Sequence, residues 1–345
     1  MSYKGRKEMS SLMSRVAAYG IAVVASLGVT SPVWAQSGAD FFNGKTVNYV
    51  VATEPGGGYD TNGRLVAEFM QKHLPGSTFV VQNMPGAGHL IGTNFVYGSE
   101  PDGLTFGTFN TGLIYKQLTG DKAIKFDLGK MSWIGKVSSD PRVIVMSKQS
   151  GIESFEQLKN LKEPIKFAAA GVGSASTVET TMLVNTLGLK IEIITGYNGS
   201  DDQLAMRRGE VQGILGSRST FAEFVKEGNG KFIAQIGGSE TDVPQLASLV
   251  QGDEAQRALA LIASQSNIAR LSAGPPGIPE DRLKALRDAY AAAVADPEFL
   301  KKADTLGLPV DPLVGQAVAD AVSKALDQKP EMVEFLKKNM KKKKD

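Results

Sequence analysis

The stretch Val47–Thr61, VNYVVATEPGGGYDT, decides the fold. Its first part, Val47–Thr53, is an apolar run rich in β-branched residues, with the length of a buried strand. Its second part, Pro55–Asp60, places three glycines in a turn. An amphipathic segment then runs from about Thr61 to His73, with Leu65/Phe69 and Val66/Met70 as i,i+4 pairs on one face. The unit is strand, small-residue turn, helix.

The unit recurs along the chain. STFVVQN (Ser77–Asn83) leads through MPGAGH to a short helix near Ile91–Tyr97, and LTFGTF (Leu104–Phe109) leads into NTGLIYKQL. A second set begins at RVIVMS (Arg142–Ser147). IKFAAA (Ile165–Ala170) passes through GVGSAST to a helix over Val178–Leu187, and IEIITGY (Ile191–Tyr197) passes through NGS to a helix over Asp201–Arg208. VQGILGS (Val211–Ser217) and KFIAQIG (Lys231–Gly237) read as further strands. This alternation predicts an α/β chain of βαβ units with mostly parallel sheets. After SNIARLSAGPPGIP the pattern turns helical. Pro279 precedes a helix over Glu280–Val294, and shorter helices follow near Gly315–Leu326 and Pro330–Lys338. These are expected to pack back on the first half.

The N-terminus reads as an export signal. Lys4, Arg6, Lys7 and Arg15 precede an apolar run, Val16 to Val29, that is short for a membrane span, and Val33-Trp34-Ala35 suits a signal peptidase. Cleavage is expected after Ala35, so residues 1–35 stand outside the fold and the product is periplasmic. Removing them subtracts four of the 38 basic and one of the 36 acidic residues, which turns a net charge of +2 into −1. No nucleic-acid footprint remains. The basic block Lys337–Asp345 reads as a solvated tail. About 310 residues remain, enough for two domains with their own cores.

The chain has no Cys and two His, His73 and His89. Disulfides, thiol nucleophiles and Cys-based metal sites are therefore excluded. No phosphate loop or complete dinucleotide fingerprint is present, and neither His lies near a nucleophile elbow. No metal site, cofactor or catalytic residue is expected, and the chain does not read as an enzyme.

The turns carry the binding chemistry. In open α/β sheets, ligands sit beyond the carboxyl ends of the strands. Glycines in Pro55–Thr61 let a ligand approach the backbone N–H groups, and the helix that follows adds unpaired N–H groups at its positive end. That arrangement suits an anion. Ala170–Thr177 repeats the design with Ser174, Ser176 and Thr177. Ser176-x-x-Glu179 fits a capping box, which favours Ser174 and Thr177 as ligand contacts. Tyr197 ends a strand and offers a ring and a hydroxyl. Tyr59 is placed to floor a pocket, and Asn110 and Thr111 end the third strand.

In order and spacing, VNYVVATEPGGGYDTNGRLVAEFM, VVQNMPGAGHLIGTNFV, PDGLTFGT, AAAGVGSAST, GYNGSDDQLAMRRGEVQGIL and RLSAGPPGIPEDRLKALRDAY resemble the Bug (TctC-like) receptors of tripartite tricarboxylate transporters, over about residues 45–330. The resemblance implies a two-lobed type 2 periplasmic-binding-protein fold with a discontinuous first lobe and the ligand cleft between lobes. Lobe 1 would be residues 36–142 plus 263–345, and lobe 2 residues 143–262. It implies a small carboxylate ligand, a di- or tricarboxylate or an aromatic acid, held by Gly57, Gly58, Tyr59, Asp60 and Thr61 from one lobe. Gly173, Ser174, Ala175, Ser176 and Thr177 would hold it from the other. The implied partner is a membrane permease of large and small subunits; the same module serving a periplasmic sensor is the alternative. Two departures stand out. His89 replaces a usual Gly, and Gln212 and Gly216 replace common acids, which weakens an amino-acid ligand. Arg218, just past Gly216, is the expected partner for a distal acidic group.

Overall fold

The computed structural model describes residues 38–340. The proposed leader, its cleavage point after Ala35 and the last five residues lie outside them. In chain order the elements are β1 (Thr46–Val51), α1 (Gly58–His73), β2 (Thr78–Asn83), α2 (Leu90–Tyr97), β3 (Thr105–Phe109), α3 (Gly112–Thr119), β4 (Ser132–Ser138), β5 (Arg142–Ser147), α4 (Phe155–Lys159), β6 (Ile165–Ala169), α5 (Ala175–Leu187), β7 (Ile191–Thr195) and α6 (Asp201–Arg208). They continue with β8 (Gly213–Ser217), α7 (Arg218–Lys226), β9 (Gly230–Ile236), α8 (Leu246–Leu249), α9 (Asp253–Ser266), β10 (Ala269–Gly274), α10 (Glu280–Ala295), α11 (Pro297–Thr305), β11 (Leu313–Val314), α12 (Gln316–Leu326) and α13 (Pro330–Asn339).

Two sheets form. One has the order β11-β4-β10-β3-β1-β2 and the other β7-β6-β8-β5-β9. The chain leaves the first sheet after β4, builds the second, and returns at β10, as the two-lobed expectation requires. The sheets are less parallel than the strand–helix alternation predicts. β1/β2, β1/β3, β6/β7 and β6/β8 are parallel, whereas β10 and β11 in one sheet and β5 in the other pair antiparallel with their neighbours. The reason is the crossing. β5 and β10 enter their sheets from the opposite lobe, so no helical crossover fixes them parallel.

The central strands are apolar runs because both of their faces are covered. β4 is buried at every position. Tyr49, Phe69, Phe106 and Tyr290 sit in a core between β1, α1 and α10, while Ile144, Phe167 and Met182 anchor the second lobe. α10 packs on α1 and β4, as expected of a returning helix. The last helix differs from that expectation. α13 lies across α3 and α5, and its Phe335 and Leu336 join the second lobe's core. Lys337 and Lys338 are helical rather than tail, paired with Glu334 and Glu254.

Candidate functional site

The crossing segments are stitched side by side. Asp140 N–H donates to Ser266 O (2.9 Å), and Lys136 Nζ donates to Asn267 O (2.7 Å). Arg270 stands beside the return crossing with φ +57. Its Nη2 reaches Asp140 Oδ2 (3.3 Å), Ser219 Oγ (3.3 Å) and Thr220 Oγ1 (3.2 Å), and all but 2% of its surface is buried. Above this hinge a cavity of about 110 Å³ separates the lobes.

The turn residues converge on this cavity. Gly57, Gly58 and Tyr59 line it from the start of α1, Asn110 from the end of β3, Ser174, Ala175 and Ser176 from the start of α5, and Tyr197 from beyond β7. Tyr59 lies between two groups. Arg270 sits over its ring at 4.2 Å from the centroid, and the His89 ring is tilted against it at 6.3 Å. His89 also lines the cavity. Its φ of +74 explains why glycine suits this position, and its Nδ1 faces Ala52 O at 2.9 Å. Burial, and less the charge of Lys116, holds its pKa down, so the ring is neutral near pH 7.

Other expected contacts lie off the cavity. Asp60 braces the glycine turn: Oδ2 accepts from Gly56 N–H (3.0 Å) and Arg64 Nε (3.0 Å), and Oδ1 accepts from Asn83 Nδ2 (2.9 Å). Burial opposes its ionisation, but those hydrogen bonds together hold its pKa below the usual range. Thr61 N–H closes the first helical turn on Gly57 O, and its side chain faces an outer groove with Arg64 and Lys302. Thr111 precedes α3 and its carbonyl accepts from Ile114 N–H. Gly173 has φ +82, with Lys116 Nζ where a Cβ would stand. Ser174, not Ser176, caps α5 by accepting from Thr177 N–H (3.3 Å). Thr177 Oγ1 donates to Ala170 O and Gly171 O, so Thr177 locks the turn from inside. The capping box fails because Glu179 is drawn inward to Arg142.

Arg218 departs furthest from expectation. α7 begins at this residue, turning its side chain onto Asp242 (2.6 Å) and over the Phe232 ring, away from the cavity lining. Arg142, Arg270, Thr53 and Asp202 line the cavity instead. The turn motifs point to none of these four as ligand contacts; they come from strand ends and from the first turn of α6. Thr53 Oγ1 is buried with no hydrogen-bond partner among the described residues. Arg142 opens β5. Its Nε donates to Glu179 Oε2 (2.6 Å), Nη1 to Ser217 Oγ (3.0 Å) and Nη2 to Leu215 O (3.1 Å).

Asp202 is the acid of the lining. Burial pushes its carboxyl up to about 7, with Asp201 adding to the rise. A bound anion raises it further, so anion binding takes up a proton. Tyr59, raised chiefly by burial, and the neutral His89 do not gain charge as pH rises through this range. Affinity for a carboxylate is therefore expected to weaken as pH rises from about 6 to about 8, by at most about tenfold per pH unit for one proton. Asp202→Asn should flatten that slope. Calorimetry across pH checks it, and an unchanged slope in the variant would refute the assignment.

The start of α1 contributes Gly58, Tyr59 and Asp60 N–H groups that have no partner within the helix. Asn110 Oδ1 accepts from Gly112 N–H (2.8 Å) and, across the lobes, from Ala175 N–H (3.3 Å). The site thus offers fixed dipoles to an anion, in a space lined from both lobes.

Comparison with known proteins agrees with this architecture. Residues 63–337 match the model of the tripartite tricarboxylate transporter family receptor, TctC. Protein BugT of Bordetella pertussis is 27% identical over 252 residues, 69% of this chain and 74% of that protein. A UPF0065 protein of Agrobacterium vitis is 30% identical over 171 residues, and there the chain spans about half of the relative's length, 49%. The periplasmic binding protein BugD superposes with TM-score 0.72 at 24% identity, covering 86% of this chain and 97% of BugD. MatC of Rhodopseudomonas palustris, solved with bound malate, gives 0.70 at 20% identity, covering 85% and 99%. With its glycine turns, crossed sheets and matched span taken together, the chain belongs to the family of tripartite tricarboxylate transporter receptors.

Proposed function

We propose that this protein captures a small organic carboxylate between its lobes and delivers it to the membrane permease of a tripartite transporter. One observation carries the reading: helix starts from both lobes, at Gly58 and Ala175, line a single cavity. The N–H groups at the start of α1 hold a carboxylate without a dedicated lysine, facing Ala175 and Ser176 of the other lobe, and Tyr59 and Tyr197 wall its carbon skeleton. MatC, of the same fold, holds malate. The lobes carry out capture and release; no bond is made or broken. The lobe boundaries near residues 142 and 263, and export with cleavage after Ala35, belong to the same reading.

A thermal-shift screen tests it. A ligand that binds only the folded state raises apparent stability by about 2.7 kcal/mol at a hundredfold excess over Kd. Small carboxylates are expected to raise the melting temperature by several degrees, while uncharged sugars and simple amines leave it unchanged. A response confined to sugars or amines would refute the carboxylate reading.

A further inference from the structure

We propose that Arg142 reads a second acidic group on the ligand, so that this receptor selects a short dicarboxylate of about four carbons over monocarboxylates and longer diacids. The inference rests on the carboxylate reading above and narrows it to one class.

Two buried ion pairs face the cavity the same way round. Arg142 lines it while its partner Glu179 does not, and Arg270 lines it while its partner Asp140 does not. In the first pair the arginine side chain keeps 11% exposure and the glutamate 1%. Each carboxylate stands behind its guanidinium, so both pairs aim their positive ends at the ligand space. Tyr59, which sits between, registers the asymmetry. Burial raises its phenol most, and against that Arg270 and Arg142 lower it by more than Asp140 and Glu179 raise it. A buried ion pair of this kind contributes little stability over a packed apolar pair, so its orientation toward a polar cavity asks for a ligand.

Of the two arginines, Arg142 presents more of its side chain to the cavity, 11% against 2% for Arg270. Arg270 directs Nη2 at three oxygens and has the Tyr59 ring over its face. Arg142 uses three of its five N–H donors, one on each nitrogen. One N–H remains on each terminal nitrogen, the number of donors that a bidentate carboxylate uses. The ligand's first carboxylate occupies the start of α1, and the second reaches these two donors. Arg218, already paired with Asp242 outside the cavity, leaves that role open.

The space limits length. A cavity of about 110 Å³ is smaller than an apolar cavity of about 150 Å³ that accepts benzene. A two-carbon spacer between carboxylates fits this scale. A four-carbon spacer requires the lobes to stay apart, which forfeits contacts on one side.

Calorimetry with succinate, butyrate and adipate tests the proposal. In the wild type, succinate is expected to bind about 100-fold tighter than butyrate and at least about 10-fold tighter than adipate. In the Arg142→Met/Glu179→Met double variant, which removes both charges together, butyrate should bind within about threefold of wild type and succinate no better than butyrate. Arg142→Lys keeps a counter-charge for Glu179 and loses the paired donors, so it provides a second test in a less perturbed core. It should lose about tenfold of the succinate preference. Equal binding of succinate and butyrate by the wild type would overturn the proposal while leaving carboxylate capture intact. Retention of the preference in both variants would do the same. Adipate bound as tightly as succinate would overturn the length limit, and binding of none of the three acids would overturn the carboxylate reading with it.

Discussion

Gly112→Ala is expected to weaken ligand binding at least about 30-fold while leaving each lobe folded. A Cβ at this position would overlap Ala175 N and stand 2.9 Å from Ser174 C, both on the opposite lobe. Those are backbone atoms, fixed by the cap of α5, and they cannot rotate aside, whereas Asn110 Oδ1 of its own lobe, 2.8 Å from the Cβ, belongs to a side chain that can. Within its own lobe the residue opens α3, where alanine is favourable. The substitution therefore opposes closure far more than folding. If the ligand requires the closed form, the apparent Kd rises by the inverse of the closed fraction. Calorimetry measures the affinity, and small-angle scattering with saturating ligand should show the lobes held apart. Wild-type affinity in this variant would show that the seam between α3 and α5 does not tighten around ligand.

The second large effect is on stability. Arg142→Met alone leaves Glu179 at 0% exposure with the Tyr115 hydroxyl (3.2 Å) as its remaining partner among the described residues. Loss of one member of a buried pair costs about 3–5 kcal/mol, a fall in melting temperature on the order of 10 °C. The double Arg142→Met/Glu179→Met variant should recover most of that loss. pH separates the two cases. Burial, the largest influence, already raises the Glu179 pKa, with Arg142 pulling it back down. Without Arg142 it rises further. A carboxyl whose folded pKa lies above its unfolded one favours the fold most below the unfolded value, and that benefit is lost as pH climbs through the folded value. The single variant should thus melt closer to wild type near pH 5 than near pH 8, and the double variant should not share that dependence. Circular-dichroism melts across pH decide it; a single variant as stable as wild type at pH 8 would show that the pair is not coupled.

The strands and turns were legible because each carries its own local signal. β5 spans Arg142–Ser147, as the RVIVMS run indicates, and the glycine turns lie where the strand ends place them. The cavity-facing side of the site was legible for Gly57 to Tyr59 and for Ser174 to Ser176, where chain direction alone points N–H groups inward. What escaped was non-local. Arg142 and Arg270 are separated by more than a hundred residues and meet only because two crossings lie side by side. A signal existed: Arg270 interrupts the apolar stretch NIARLSAG, and an arginine inside a buried strand requires a buried acid. Arg218 misled because its place after β8 suggested the cleft, whereas the start of α7 rotates it outward. Antiparallel pairing of β5 and β10 escaped for the same reason as the arginines, since strand order across a crossing is not written in either strand.

Much of the seam between the lobes is main chain against main chain. A Cβ on Gly57 would meet Gly199 O at 2.9 Å, one on Gly88 would overlap Val172 O, and one on Gly112 would meet Ala175 in the same way. The side chains that line the cavity, Tyr59, Arg142 and Tyr197 among them, are not part of those approaches. The turns that meet at the seam also carry the N–H groups proposed to grip the ligand's first carboxylate, whereas these side chains wall the rest of the ligand. A receptor so divided can exchange its cavity side chains, and with them its cargo, while the hinge and the seam keep working unchanged, which makes the cavity the natural place to redirect this scaffold toward a new acid.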